Sequence, residues 1–425
     1  MSQIKDWDWN SGKRVISDIY QWRDTFSWVE EPYASPDGES VAAIVKVDEM
    51  AFSVCENGSP WENSFDKVWF LRYGPDSRAT ALVSDTAMWT VAVAGTPWEN
   101  WFEFVWDTKF GRYDGHISVA AQKEFEYFAV TDDKPWENGF HAISHLKASP
   151  TGRSAAAAVQ TKPINEADIA AFQEGCFTVA VNGEPWSQNF LNTWEMAFDA
   201  KEKHVAAEVR LNLNDYTIVV DGIPWKRHYA SVWEPAFNPR DGSVTAPVRM
   251  ADGWALARDG DIIWKNRYFQ LWHHFYSTDG SRIAAIVSPK FGQWTLAIDD
   301  KPWKLTFKDL VTDPVLSPNG RRAACVGKTD GKWMIAVDGA AWTDTYDMAW
   351  PPVFSPDSRH VAAKTEKNGA YRIIVDGRPI QTDYQALWNP VFSPEGDKLL
   401  IRGVETGAND GKYTRTVLSL AEIMG

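Results

Sequence analysis

A tryptophan returns along this chain at a nearly fixed interval, and that period constrains the fold more than any other feature. Pro-Trp stands at 60–61, 97–98, 135–136, 185–186, 224–225 and 302–303, each time just after a short apolar segment that ends in an acidic or glycine turn. Ile263-Trp264 and Ala341-Trp342 keep the tryptophan without the proline, and Pro379-Ile380 keeps the proline alone. Successive slots lie 37, 38, 50, 39, 39, 39, 39 and 38 residues apart. Such self-similarity means that each unit is one supersecondary element, which buries itself only by packing on its neighbours.

Each unit reads the same way. A turn of the Ser-Pro-Asp-Gly type comes first, as in 35–38, 149–152, 317–320, 355–358 and 393–396, with looser versions at 75–77, 114–115, 199–201, 239–242 and 279–280, ten in all. Proline presets one turn dihedral, glycine accepts positive φ, and aspartate bonds nearby amides. Next is a small-residue apolar strand (41–47, 204–210, 282–288, 360–366), rich enough in alanine for neighbouring sheets to approach closely. A third strand alternates aromatic and β-branched residues (89–93, 216–220, 294–298, 333–337). After the Pro-Trp turn comes a fourth strand of the form aromatic-x-x-apolar-Trp (65–69, 102–106, 229–233, 346–350, 384–388). Four short strands per unit predict an all-β fold, a β-propeller of about ten four-stranded blades.

The repeats run from 30 to 404, preceded by a closing segment (1–29) and succeeded by a last strand and tail (405–425). The chain enters partway through a unit, with Trp22 in a Pro-Trp slot, and stops after a third-type strand at 415–420, so the N-terminal segment can complete the last blade and leave no sheet edge. Residues 13–17 also read as a third-type strand, which gives that blade two candidates for one place. One ring of ten is favoured over two tandem rings, since no linker interrupts the repeats. The 50-residue step is explained by an insert at 162–175, with a short helix expected near 165–173; its Glu166, Asp168 and the apolar 169–172 patch ending in Phe172 make it a candidate contact.

The chemistry that is missing narrows the function. The net charge of −14 argues against binding nucleic acid through phosphate neutralisation. Three scattered cysteines suggest neither a disulfide framework nor a zinc site, and fit a reducing compartment. The polar N-terminus and the absence of any long apolar run predict a cytoplasmic protein with no membrane span. No Walker A, GxGxxG, HExxH, GxSxG or CxxCH motif occurs, and the one adjacent histidine pair, His273-His274, would point to opposite faces of a strand. The expectation is a non-enzymatic protein with no cofactor and no metal.

The repeated tryptophans Trp61, Trp98, Trp136, Trp186, Trp225, Trp264, Trp303 and Trp342 are read as wedges between blades, each with an indole N–H free to reach a backbone carbonyl. Trp7, Trp9, Trp28 and Trp101 lie off these slots and are better placed for partner contact. The residues just after each slot change along the chain: Pro-Trp-Glu-Asn in the first three copies (Glu62, Glu99, Glu137), and then Lys226-Arg227, Lys265 with Arg267, and Lys304. Strand alternation puts the Pro-Trp and Ser-Pro-Asp-Gly turns on one face and the insert on the other. A face that is acidic on one arc and basic on another would orient a protein partner.

The Ser-Pro-Asp-Gly turn with Val-Ala-Ala after it resembles the TolB-like branch of WD40-like propellers over residues 30–404. The Val-Asp-Gly-x-Pro-Trp endings and the 24 tryptophans resemble the Trp-rich subunit of the Tmc transmembrane redox complex of sulfate-reducing bacteria. That resemblance implies an accessory scaffold, peripheral to the cytoplasmic side of the inner membrane. Its partners would be an iron–sulfur subunit, a membrane cytochrome b and a multihaem cytochrome c. The alternative is a propeller that binds a small molecule or glycan, or an enzyme, using the central channel.

Overall fold

The structure, a computed structural model, describes residues 3–164, 169–407 and 410–425. The protein is a β-propeller. Blade 2 shows the unit: an entry strand Lys67–Tyr73, a second strand Ala79–Asp85, a third strand Met88–Val93 and a two-residue strand Thr96–Pro97, each antiparallel to the one before. The second strand is buried along nearly its whole length, because alanine and β-branched residues alternate over both of its faces.

The expected fourth strand is in fact shared between blades. Its leading aromatic bridges back to the third strand of the preceding blade, as in Phe52↔Phe65, Trp89↔Phe102, Tyr216↔Tyr229 and Trp333↔Tyr346. The residues after it pair forward, Val68 with Val83 and Val105 with Ala121, as the entry strand of the next blade. One aromatic thereby locks two sheets together. The equivalent Tyr371↔Tyr384 pair joins the last two blades into a single hydrogen-bonded sheet.

The apolar clusters between sheets count ten blades. Ala42, Ile44 and Val54 of blade 1 pack on Val68, Leu71 and Ala79 of blade 2, and the pattern continues blade to blade as far as Ala362, Ile373 and Val375 of blade 9 against Leu387, Leu399 and Ile401 of blade 10. The circuit closes where Val404 and Tyr413 of blade 10 share a cluster with Ala34, Val41 and Ala43 of blade 1.

The N-terminal strand Gly12–Asp18 pairs antiparallel with Lys412–Ser419, so 13–17 is the outer strand of blade 10 and not a rival for the third. The short helix Ile19–Thr25 then places Trp22 in the wedge slot, with its indole N–H 3.2 Å from the Ser17 hydroxyl. The axis lies on the entry-strand side. Neighbouring Ser-Pro-Asp-Gly-type turns touch backbone to backbone: a Cβ on Gly152 would lie 2.6 Å from Gly111 Cα. The turns after the third strands are instead held a tryptophan's thickness apart, as expected of blades that splay outward.

Candidate functional site

On the face carrying the Pro-Trp turns, most of the repeated polar residues hold the ring together. Among the described residues the Asp or Asn just after the third strand accepts the backbone N–H at the start of its own second strand in eight blades, for example Val41 to Asn57 (3.0 Å), Ile117 to Asp132 (2.9 Å) and Val361 to Asp376 (2.9 Å). These residues sit at positive φ, near 50° (Asp376 at 48°), a conformation that Asn and Asp tolerate and that their side chains can stabilise. The second carboxylate oxygen takes a basic partner where one is present: His116, His204, His360, Arg282 or Arg322. The buried turn serine bonds the amide five residues on, as Ser35 does for Ser40 and Ser355 for His360.

Most of the slot tryptophans lie against the turn of the next blade. Trp61 lies over Gly95 of the next blade, Trp136 over Gly183, Trp186 over Gly222, Trp225 over Gly260, Trp303 over Gly339 and Trp342 over Gly377, and Trp22 approaches Gly58 in the same way. A Cβ on Gly95 would come within 3.0 Å of the Trp61 ring. The expected indole-to-carbonyl bonds are not made: among the described residues only Trp22 of these slots donates, and it does so to a hydroxyl. In two blades an aspartate replaces the turn glycine. Asp133 accepts the backbone N–H groups of Glu99 and Asn100 beside Trp98, and Asp300 those of Lys265 and Asn266 beside Trp264.

The motif Pro-Trp-Glu-Asn divides into two roles. The asparagine reaches across the seam, Asn63 to the Gly95 carbonyl (2.8 Å), Asn100 to the Asp133 carbonyl (2.9 Å) and Asn138 to the Gly183 carbonyl (3.0 Å). The glutamates Glu62, Glu99 and Glu137 are exposed, and their carboxylates make no ion pair among the described residues. Lys226 and Lys265 are likewise exposed and unpaired, and Arg227 lies over the Tyr229 ring (5.4 Å). Arg267 is turned to its own loop, bonding Asp252 and the carbonyls of Trp264, Lys265 and Asn266.

Of the off-slot aromatics, Trp101 packs on the seam between blades 1 and 2, Trp7 stacks on Trp9, and Trp28 is 42% exposed. In the insert the helix is Ile169–Glu174, with Ile169 exposed and Phe172 half-buried; Glu166 and Asp168 lie outside the described residues.

The inner wall is a second polar region that sequence reasoning missed. Each entry strand is bulged or broken after its Trp position, and Asp107, His145, His273 and Asp313 sit there at positive φ. His145 Nδ1 is 3.3 Å from Glu195 and His273 Nδ1 is 3.2 Å from Glu234. The His145 hydrogen bond holds Glu195 below its ordinary pKa. Burial works against Glu234, but the His273 bond and the neighbouring imidazoles outweigh it, and the same bond raises His273.

Glu208, on the second strand of blade 5, is buried without a hydrogen bond among the described residues; desolvation, reinforced by Glu234 and Glu195, pushes it up to about 8. His274 faces the other way, fully buried against Thr245 (2.9 Å), and burial lowers it to about 4. The signal was present in the sequence as a varying charged residue at one fixed repeat position. Among the described residues no group of three or more His, Cys, Asp or Glu side chains could hold a metal ion. No helix there is long and apolar enough to cross a membrane.

No family model and no curated protein matches this chain. Among solved structures, a eukaryotic initiation factor is similar with a TM-score of 0.49 and 13% identity over 77% of this chain and 90% of that one. The tricorn protease is similar with a TM-score of 0.30 and 11% identity over 89% of this chain and 51% of that one. The resemblance to the Tmc subunit finds no counterpart among these comparisons.

Proposed function

We propose that this propeller is a non-catalytic docking subunit whose Pro-Trp face orients a protein partner. One observation carries the reading. At a single repeated loop position the neighbouring polar groups are engaged in holding the ring, while the charged side chain is left exposed and, among the described residues, unpaired, and its sign changes with position. Glu62, Glu99 and Glu137 come after blades 1 to 3; Lys226 and Lys265 come after blades 5 and 6, and Arg227, one residue on, adds to the basic arc. Glu99 and Lys265 are four blades apart in a ring of ten, so the face is bipolar. Opposed charge on a rigid platform fixes orientation and speeds encounter more than it adds affinity.

The partner proposed is the iron–sulfur subunit of a membrane redox complex, with a cytochrome b and a multihaem cytochrome c in the same assembly. The propeller would sit on the cytoplasmic side of the membrane as a scaffold with no cofactor of its own. The resemblance of the tryptophan-rich repeats supports this choice. The experiment is affinity capture from native membranes at low and high salt, comparing the wild type with the Lys226→Glu, Arg227→Glu, Lys265→Glu triple variant. Haem and iron–sulfur absorbance should be recovered with the wild type at low salt. The variant should associate about tenfold more slowly or lose its partner. Equal recovery by both proteins would remove the docking reading.

A further inference from the structure

Blades 9, 10 and 1 border an open pocket of about 430 Å3, lined by residues that the docking face does not use. Three aromatic side chains, Tyr33, Tyr371 and Trp388, stand among polar residues in its wall. Lys364 enters from the second strand of blade 9, at the position that holds Ile286 in blade 7. Its ammonium lies 4.0 Å from the Trp350 ring centre and 4.8 Å from that of Tyr371, and among the described residues it makes no hydrogen bond or ion pair.

Arg402 also lines the cavity and is 7% exposed. Its terminal nitrogens are held by the Ser35, Pro36 and Asn389 carbonyls, but its buried Nε–H has no partner among the described residues. An ammonium with unused donors at Lys364, with the buried Arg402 guanidinium as a second positive charge beside it and ring faces around it, describes the complement of a flat anion. Among the described residues Glu31 is the one carboxylate in the wall, and it disfavours a second negative charge on the ligand.

We infer that this pocket binds a small aromatic monocarboxylate, its carboxylate meeting the Lys364 ammonium in the field of the Arg402 guanidinium and its ring lying against the aromatic side chains. The volume suits a ligand of one or two rings. Burial already lowers Lys364 to about 8, against the pull of Glu31 and of Glu366 on its own strand, so the site carries a cation that a bound anion would stabilise.

The test is calorimetric titration of the full chain with benzoate, indole-3-carboxylate and neutral benzamide, using the wild type and Lys364→Met, which keeps an unbranched apolar side chain against Trp350. The carboxylates should bind saturably at pH 7, benzamide should not, and Lys364→Met should weaken binding about tenfold or more. Affinity should fall as the pH rises through about 8, where the Lys364 ammonium deprotonates. Trinitrobenzenesulfonate should label Lys364 in the wild type, and benzoate should protect it. Benzamide binding as well as benzoate, an unchanged Lys364→Met, labelling that benzoate does not slow, or no saturation by either carboxylate in folded wild type would each overturn the assignment. None of these readouts involves the docking face.

Discussion

The seam between blades 7 and 8 and the seam between blades 10 and 1 are built differently. In the first, Ile286 packs on Phe307, Val311 and Cys325, with Trp303 wedged alongside. In the second, the position of Ile286 is taken by Arg402, which donates to the Ser35 (2.7 Å) and Pro36 (3.2 Å) carbonyls of blade 1. Arg415 donates to the Asp37 carbonyl (2.9 Å) and pairs with Glu39 (2.9 Å), and Tyr413 donates to the Gly38 carbonyl (3.2 Å). The other seams join consecutive blades, so the chain itself supplies proximity, and the polar bonds that cross them, such as Asn63 to the Gly95 carbonyl, join loops already held close. The closing seam joins the two ends of the chain. It must find its partner across the whole sequence, and directional bonds to one particular turn fix the register that non-directional burial leaves open.

The largest effect expected is from removing the N-terminal strand. A chain lacking residues 1–18 leaves Lys412–Ser419 as an open edge and takes away the Lys13–Glu405 ion pair, together with the Asp8 carbonyl that Arg415 uses. It should lose the cooperative unfolding transition and aggregate, as seen by calorimetry and light scattering. A monomeric, cooperatively unfolding product would show that closure is dispensable.

Methionine placed at one strand position in both seams separates them more finely. Arg402→Met takes the guanidinium from the Pro36 and Asn389 carbonyls, leaves Ser35 with the Gly38 N–H alone, and should cost about 3 kcal/mol in urea unfolding. Ile286→Met conserves volume and should cost about 1 kcal/mol or less. Equal losses would mean that the closing seam is held by packing alone.

The smallest effect tests a third occupant of that position, Glu208, which among the described residues has neither the bonds of Arg402 nor the apolar fit of Ile286. Its pKa is raised in the folded state to about 8 from 4.5. The folded protein therefore keeps a proton that the unfolded chain releases, and stability falls as pH rises from about 4.5 through about 8. Glu208→Gln removes this slope. It should be more stable than the wild type by about 2 kcal/mol near pH 8 and indistinguishable near pH 4.5. A pH-independent difference would indicate that Glu208 has a partner in solution.

Much of the fold is legible in the sequence because the repeat marks every turn. The Ser-Pro-Asp-Gly and Pro-Trp signals carry their own backbone preferences, and the period shows that they recur. The sharing of the fourth strand is hidden there, because Phe102 and Val105 are three residues apart and carry the same kind of side chain. Only pairing distinguishes the residue that bridges backward from the one that pairs forward. The Glu-Asn pair reads as one docking element, yet Asn63 and Asn138 bond the next blade's turn carbonyls while Glu62 and Glu137 stay exposed.

The unit and the number of units follow from local turn chemistry and from a periodicity that a single chain displays. The tertiary structure decided what meets across the ring. It brings Arg402 to Ser35, 367 residues away in sequence, and gathers Lys364, Tyr371, Trp388 and Tyr33 around one cavity. It also shows which charges are exposed and which are engaged in the seams. Ring closure and cavity lining depend on how ten similar blades divide a full turn, and no window of one repeat contains that angle.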